Sequence, residues 1–236
     1  MKPTASAVAQ DYLKAIWSAR EWTPEEPVTT SMLAARQSVS PSTASEAVKR
    51  LVERGLVRHA PYAAIELTQA GERLALSMVR RHRLLETFLV ETLGFAWDEA
   101  HDDAEVLEHA ASDRFVAALA EFLGHPGRDP HGDPIPAPDG AVAHPVAVPL
   151  TQVDEGARVV VERISDADAA MLRYFGAVGL VPDASLEVVE RRDFAGVLVL
   201  AVGALGQRVE LGDIAAAAVW VSQAGAPQQP RIGGLG

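Results

Sequence analysis

The chain has 236 residues, 48% of them hydrophobic and 22% charged, which is the composition of a globular protein with room for two or three domains. It contains no cysteine, so disulfides and thiolate metal ligands are excluded. The net charge of −11 is uneven, because residues 1–83 carry +4 and residues 84–236 carry −15, and we expect these two parts to have different tasks.

The longest apolar run, residues 195–205, is too short to span a bilayer and is typical of a buried strand. The N-terminal residues lack the pattern of a signal peptide. We therefore expect a cytoplasmic protein without a membrane partner.

Residues 1–72 predict a winged helix-turn-helix domain. Apolar residues at helical spacing indicate two helices before residue 40. A third helix begins with Ser40 as N-cap and Pro41 at the first helical position. Residues 56–68 then predict a hairpin that turns at Pro61-Tyr62. In a winged helix with this order of elements, the second helix of the helix-turn-helix pair lies in the DNA major groove.

Residues 73–140 predict a helical domain. A long helix is expected at about 69–93, and a further helical region at 97–122. The stretch 124–149 is rich in Pro and Gly and is typical of a linker. We expect the histidines of the wing and this linker to lie at the surface, namely His59, His125, His131 and His144.

Residues 148–224 predict a small SH3-like β-barrel. Five segments of strand-like composition alternate with turns and are interrupted by a short helix near residues 168–179. The tail, residues 225–236, has the composition of a disordered segment. The predicted fold class is therefore mainly α with a C-terminal all-β domain.

Potential metal ligands recur on the predicted helices. His101, Glu105, Glu108 and His109 lie at offsets 0, 4, 7 and 8, which places them within roughly a 100° arc of one helix. His82 and Glu86 share a face of the preceding helix, and Asp11 adds a carboxylate on the first. A ligand set made mainly of carboxylate oxygens with some imidazole is more typical of Mn²⁺ or Fe²⁺ sites than of structural zinc sites.

The residue patterns also have simpler explanations, which they leave open. The stripe at 101–109 is compatible with an ordinary solvated helix face, His82–Glu86 with an i,i+4 pair, and Asp11 with a partner of Lys14. The start of the third helix could cap any helix. Winged helices also serve as protein-interaction modules, so the pattern does not by itself establish DNA binding.

The chain resembles the diphtheria-toxin-repressor family of metal-dependent transcriptional regulators. The resemblance runs over nearly the whole chain and rests on the segments DYLKAIW, SPSTASEAVKRLVERGLV, ELTQAGERLA, RRHRLLETFLVETLG, WDEAHDDAEVLEHAAS and PHGDPIP. The C-terminal domain is similar to the SH3-like domain of the longer members. The resemblance implies a homodimeric repressor that binds a double-stranded DNA operator when divalent metal is bound.

Two metal sites follow from this resemblance. A primary site would use Asp11, Glu105, Glu108 and His109. An ancillary site would use His82, Glu86, His101 and an acidic residue of the third domain, either Asp166 or, as its substitute, Asp168. Lys14 stands where short manganese regulators have a further acidic ligand, so we expect two separate sites and not a bridged pair of ions.

The same resemblance bears on the choice of metal. Iron-responsive members have Met and Cys where this chain has Asp11 and Glu105, so the site is harder and we expect Mn²⁺, with Fe²⁺ as the alternative. The Irving–Williams order implies that other divalent ions, namely Co²⁺, Ni²⁺, Zn²⁺ and Cd²⁺, substitute in vitro.

The DNA contacts are expected near the start of the third helix. Candidates for base readout and phosphate binding are Ser40, Pro41, Ser42, Thr43, Ser45, Glu46, Lys49, Arg50 and Arg58. Two hypotheses of other classes remain: a metal-dependent hydrolase and a winged-helix interaction module. The chain has no HExxH motif and no evident general base outside the ligand set, so we do not expect an enzyme.

Overall fold

A computed structural model describes residues 6–60 and 63–224. The predicted turn at Pro61-Tyr62 and the predicted disordered tail at 225–236 lie outside the described residues. The chain forms two compact units. The first comprises the described residues up to Arg81 together with Pro136–Ala141, and the second comprises His82–Ile135 and the described residues from Val142 onward.

The first unit has the element order of a winged helix. Its elements are α1 (Ala7–Glu21), α2 (Thr30–Arg36), α3 (Pro41–Glu53), β1 (Val57–Arg58), β2 (Glu66–Leu67) and the beginning of α4 (Gln69–Glu91). Side-chain oxygens of Ser6, Thr29 and Ser40 accept backbone N–H bonds and cap the first three helices. Their apolar faces form one core that includes Leu13, Ile16, Leu33, Val48, Leu51 and Ile65.

The predicted hairpin is confirmed, although each strand has only two residues. Val57 pairs with Leu67 and Arg58 with Glu66 in an antiparallel register. At the start of α4 the backbone of Gly71 packs directly against the backbone of Leu56. A Cβ at Gly71 would lie 2.0 Å from the carbonyl oxygen of Leu56. Only glycine fits there.

The second unit contains the rest of α4 and two further helices, α5 (Ala100–Ala110) and α6 (Asp113–Phe122). The helical region predicted at 97–122 is thus two helices. Ser112 separates them, because its side-chain oxygen accepts the N–H of Phe115 and caps α6. The three helices bury a core that includes Leu84, Leu85, Leu89, Ala104 and Leu119.

The C-terminal part of this unit is a six-stranded antiparallel sheet, as expected for the all-β domain. Its elements are β3 (Val148–Pro149), β4 (Arg158–Ile164), α7 (Ala169–Ala177), β5 (Ser185–Arg192), β6 (Val197–Val202), β7 (Gln207–Gly212), α8 (Asp213–Ala217) and β8 (Val219–Gln223). The strand order is β3-β8-β4-β5-β6-β7. Alternating side chains of the strands and Phe175 of α7 fill its core.

The linker prediction for 124–149 is wrong around residues 129–135, because this segment is a buried turn. His131, expected at the surface, is 0% exposed. Oδ1 of Asp129 accepts the backbone N–H groups of His131 and Asp133, and the N–H of Ile135 donates to the carbonyl of Gly127. The Pro and Gly residues here shape a tight turn. The other three histidines of that prediction, at 59, 125 and 144, are exposed.

None of the helices in the described part of the chain combines the length and the hydrophobicity that a membrane span requires.

Candidate metal centre

Helix α5 brings three predicted ligands together. Glu105, Glu108 and His109 follow one another at offsets of three and one residues and offer ligand atoms within 4.8 Å of one another. Glu108 is fully buried, whereas Glu105 and His109 are partly exposed. The fourth predicted ligand, Asp11, lies on α1 in the first unit, and its membership of this site remains a prediction.

A second group combines two helices and the β-domain. His82 and Glu86 on α4, His101 on α5 and Asp166 after β4 offer ligand atoms within 4.8 Å of one another. Nδ1 of His101 lies 3.1 Å from Glu86 Oε1 and 3.4 Å from Asp166 Oδ2. Asp168, the predicted substitute, has a different place, because its Oδ1 accepts the N–H groups at the start of α7 and caps that helix.

The imidazole of His82 makes the shortest contact between the two groups, and that of His101 makes a longer one, at 3.6 Å from Glu105 Oε1. Nε2 of His82 lies 3.0 Å from Glu86 Oε1, and Nδ1 of the same ring lies 2.7 Å from Glu108 Oε2. The ring also packs edge-on against that of His101, with centroids 4.8 Å apart. A change in the charge or position of His82 therefore acts on carboxylates of both groups.

The protonation states of the second group are strongly shifted. Burial alone would lower the pKa of His101, but hydrogen bonds and charge from Asp166 and Glu86 raise it to about 10. Burial would raise the pKa values of Glu86 and Asp166, but the histidines beside them hold both pKa values below their usual range. Without metal, a protonated imidazole thus balances two ionised carboxylates, which are the charges that a divalent cation would bind.

A third group was missed by the sequence reasoning. Glu86, Asp129 and His131 are all buried and offer ligand atoms within 4.8 Å of one another. Nε2 of His131 donates to the carbonyl of Trp97 at 2.9 Å, and its Nδ1 has no hydrogen-bond partner within the described residues. A buried imidazole nitrogen without a partner is costly unless it binds something. The signal was the DPHGD sequence, in which Asp129 and His131 are potential ligands, but the surrounding Pro and Gly favoured the interpretation as a linker.

The charges around this third group also depart from their usual values. Burial and the nearby Asp133 carboxylate raise the pKa of Asp129 to about 8. Burial would lower the pKa of His131, but the negative charges of Asp129 and Glu86 raise it. The three groups together contain only carboxylate and imidazole donors, which fits a hard or borderline divalent ion such as Mn²⁺ or Fe²⁺.

The predicted DNA-contacting residues all lie on the exposed side of the first unit. Ser40, Pro41, Ser42, Thr43, Ser45, Glu46, Lys49, Arg50 and Arg58 are exposed, while Ala44, Val48 and Leu51 on the opposite face of α3 are buried. Glu46 Oε1 lies 3.3 Å from Arg50 Nε. Two further exposed arginines, Arg36 and Arg54, were not among the predicted contacts and add positive charge at the ends of α2 and α3.

Three family descriptions match consecutive parts of the chain. Residues 5–65 match the N-terminal DNA binding domain of iron dependent repressors, residues 68–137 match their metal binding and dimerisation domain, and residues 148–223 match the FeoA domain.

Curated relatives and solved structures agree with these matches. The iron-dependent repressor IdeR of Mycobacterium leprae is 33% identical over 192 residues, which cover 75% of this chain and 81% of the relative. Diphtheria toxin repressor of Corynebacterium diphtheriae is 35% identical over 150 residues, which cover 62% of this chain and 65% of the relative. A manganese-dependent transcriptional repressor in complex with manganese is 55% identical, with a TM-score of 0.88 over 92% of this chain and 100% of that one. ScaR with bound Zn²⁺ is 30% identical, with a TM-score of 0.79 over 92% and 99%.

A winged helix, helices that group carboxylates with imidazoles, and a small β-domain define a metal-dependent transcriptional repressor. The family matches together span residues 5–65, 68–137 and 148–223, and the Mycobacterium leprae relative covers 75% of the chain. The chain belongs to the diphtheria-toxin-repressor family, as the sequence motifs predicted.

Proposed function

We propose that this chain is a manganese-responsive repressor that binds operator DNA as a homodimer when divalent metal occupies the ligand groups of α4 and α5. The observation that carries the proposal is the pair of ligand groups joined by His82, with carboxylate and imidazole donors only. Double-stranded DNA would meet the exposed start of α3, where small hydroxyl side chains read bases and Lys49, Arg50 and Arg58 bind phosphates.

The primary site of this proposal holds the ion with Glu105, Glu108 and His109 of α5 and Asp11 of α1. Three of these four ligands are carboxylates, which repel one another while they share a small volume. A bound ion supplies the compensating positive charge. Asp11 and the α5 ligands then favour one placement of α1, and with it of the DNA-binding helices, over others.

The ancillary site holds an ion with His82, Glu86, His101 and Asp166. Asp129 and His131 offer ligand atoms within 4.8 Å of Glu86, and we include them as further candidate ligands of this site. Two observations support this: Nδ1 of His131 has no hydrogen-bond partner among residues 6–60 and 63–224, and both side chains offer ligand atoms within 4.8 Å of Glu86. If His131 is a ligand, His131→Ala will weaken Mn²⁺ binding, whereas His125→Ala, at an exposed position, will not.

The preference for Mn²⁺ over Fe²⁺ rests on the hardness of the donors. Asp11 and Glu105 offer oxygen where the resemblance implies sulfur in iron-responsive members, and oxygen ligands favour Mn²⁺ relative to softer ions. The similarity to a manganese-dependent transcriptional repressor supports this choice, and the similarity to iron-dependent repressors keeps Fe²⁺ as the alternative. Zn²⁺ and Cd²⁺ appear in structures of ScaR, which supports their substitution in vitro, along with Co²⁺ and Ni²⁺.

The homodimer is proposed to form through exposed apolar residues of α5 and α6. Val106 is 73% exposed and Phe122 57%, and Leu107 and Phe115 are also exposed. An apolar surface of this kind on adjacent helices is typical of an interface. Residues 68–137, which contain it, match a domain described as metal binding and dimerisation.

Anaerobic DNA-binding titrations with each divalent ion test the proposed function. The full chain is titrated onto labelled DNA from its own promoter region, with chelator and then with Mn²⁺, Fe²⁺ or Zn²⁺. We expect tight binding only with metal, loss of that response in Glu108→Gln, and no loss in Glu121→Gln, which changes an exposed carboxylate of α6. Equal DNA affinity with chelator and with Mn²⁺ would refute the proposal.

A further inference from the structure

A buried ionic bridge lies beside the ligand groups and belongs to none of them. Oδ1 of Asp133 accepts a hydrogen bond from Arg163 Nε at 2.7 Å and lies 3.6 Å from Arg83 Nη2. Asp133 is only 4% exposed, and both arginines are buried as well. Arg83 is on α4, Arg163 is on β4 and Asp133 is on the turn between them, so the bridge fastens helix, turn and sheet within the second unit.

Further contacts hold the two arginines in place. Arg83 Nη1 donates to the carbonyl of Pro134 at 2.6 Å, and its Nε lies 3.5 Å from Asp129 Oδ2. The guanidinium of Arg163 lies over the ring of Trp220 at 4.5 Å. Separating a buried ion pair destabilises the fold strongly, because each charge is left without a partner. These contacts therefore keep the side chains in fixed positions.

The backbone follows the same path as the bridge. The N–H of Ile164, at the end of β4, donates to the carbonyl of His131 at 2.9 Å. Gly132 has φ +94°, and a Cβ there would lie 2.0 Å from the carbonyl oxygen of Glu162. Only glycine lets the turn approach β4 this closely.

The contact of the turn with β4 lies close in sequence to the ligands of the ancillary site. β4 ends at Ile164, and Asp166 follows two residues later, beside His101. At the other end of the bridge, Arg83 is next to His82 and three residues before Glu86 on α4. The bridge thus connects the strand that presents Asp166 to the helix that presents the other ligands.

From this geometry, and on the basis of the proposed function, we infer that Asp133 and Arg163 are positioning residues for the ancillary metal site. They place the end of β4 so that Asp166 reaches Glu86 and His101. The β-domain therefore supplies its ligand only while the bridge is intact, and Arg163 acts on metal binding through Asp166 without touching the metal.

Mn²⁺ binding to the full chain, followed by calorimetry, tests this inference. Arg163→Gln and Asp166→Ala should each weaken the same one of two sites by about 10- to 100-fold, as the loss of an outer-shell partner or a ligand does. The double variant should be no weaker than either single variant, because both changes remove the same contribution. Arg158→Gln is the matched control on the same strand, since its side chain is 77% exposed and pairs with Glu187 at the surface.

Gly132→Ala tests the same contact with every charged group retained. It should separate the turn from β4 and weaken the same site, while the Glu105, Glu108 and His109 site keeps its Mn²⁺ affinity. A general structural role would instead weaken both sites equally and lower the metal-free melting temperature to match. That result, additive losses in the double variant, or wild-type binding by Arg163→Gln would each overturn the inference.

One outcome separates this inference from the function on which it rests. If Asp166→Ala itself leaves Mn²⁺ binding unchanged, the proposed ancillary ligand set is wrong, and the inference fails with it. If Asp166→Ala weakens binding and Arg163→Gln does not, the ligand set stands and only the positioning role is refuted.

Discussion

Nδ1 of His82 lies 2.7 Å from Glu108 Oε2, which places a side chain of the ancillary group in direct contact with a ligand of the primary group. Its other ring nitrogen lies 3.0 Å from Glu86. A histidine that binds through one nitrogen and donates through the other orients the carboxylate that accepts its proton. His82 is therefore the most direct link between the two proposed sites.

This link predicts different effects for two histidines. His82→Ala should weaken Mn²⁺ binding at both sites, by about 10- to 100-fold each, because it removes a partner of Glu86 and a partner of Glu108. His101→Ala should weaken the ancillary site by a similar factor and the primary site much less. Its contacts with Glu86 and Asp166 belong to the ancillary site, whereas its contact with the primary ligand Glu105 is longer, at 3.6 Å, and partly exposed. Two-site calorimetric titrations measure both affinities. A loss confined to one site in His82→Ala would contradict the link.

A second prediction concerns Asp11. Asp11→Ala should abolish metal-dependent DNA binding and leave the dimer intact, because it removes the only proposed primary ligand that is outside α5. Lys14→Ala, one turn along the same helix, is the control and should keep the metal response. Fluorescence anisotropy at limiting Mn²⁺ and sedimentation velocity report the two properties. Unchanged DNA affinity in Asp11→Ala would rule out the primary site as proposed.

A third prediction concerns the choice of metal. Glu105→Cys replaces a hard oxygen with a soft thiolate and should shift the response from Mn²⁺ towards Fe²⁺. The ratio of the Mn²⁺ and Fe²⁺ concentrations that give half-maximal DNA binding measures the shift under anaerobic conditions. Glu105→Gln controls for loss of charge without added softness. An unchanged ratio in the Cys variant would show that donor hardness does not set the preference.

A fourth prediction follows from the pKa of His101, which its carboxylate neighbours raise to about 10. Metal binding at Nδ1 or Nε2 must displace this proton, so Mn²⁺ affinity at the ancillary site should rise with pH between 7 and 9, by about tenfold per unit if one proton is released. Calorimetry in buffers with different ionisation enthalpies counts the proton. Affinity that is independent of pH would contradict a protonated His101.

The same shift has a consequence for the metal-free protein. Because the pKa of His101 is higher in the folded state than its unfolded value of about 6.5, its stabilising contribution is complete below that value and is lost as the pH rises towards 10. The melting temperature of the metal-free protein should fall over this range. His101→Gln should make that fall shallower.

A fifth prediction addresses the dimer. Val106→Glu places a charge in the exposed apolar surface of α5 and α6 and should dissociate the dimer, because an unpaired charge in an apolar interface is costly. Ile214→Glu, at an exposed apolar position of the β-domain, should leave it intact. Sedimentation velocity distinguishes the two. A dimer that survives Val106→Glu would place the interface elsewhere.

Local signals in the sequence predicted most of the fold. The Ser40-Pro41 cap, the helical spacing of the ligands on α5 and the apolar runs of β4 and β6 each depend on a few neighbouring residues, and each element forms where it was expected. The wing strands are shorter than the sequence pattern predicts, with two residues each. Strand length depends on pairing with the neighbouring strand, which the pattern does not show.

Tertiary packing decided what the sequence left open. Asp166 and Asp168 have the same chemistry and differ only in that one faces His101 and the other caps α7. His131 was expected at the surface because Pro and Gly surround it, and those residues instead let the turn pack against β4. The second nitrogen of His82 likewise meets Glu108 through a contact 26 residues apart, which no local pattern indicates.

Anomalous diffraction at the manganese edge, from crystals grown with excess Mn²⁺, tests the central claim most directly. The claim predicts one manganese peak coordinated by Glu105, Glu108, His109 and Asp11, and a second one at Glu86 with Asp166. Side chains of α5 that point apart with no manganese between them would contradict it.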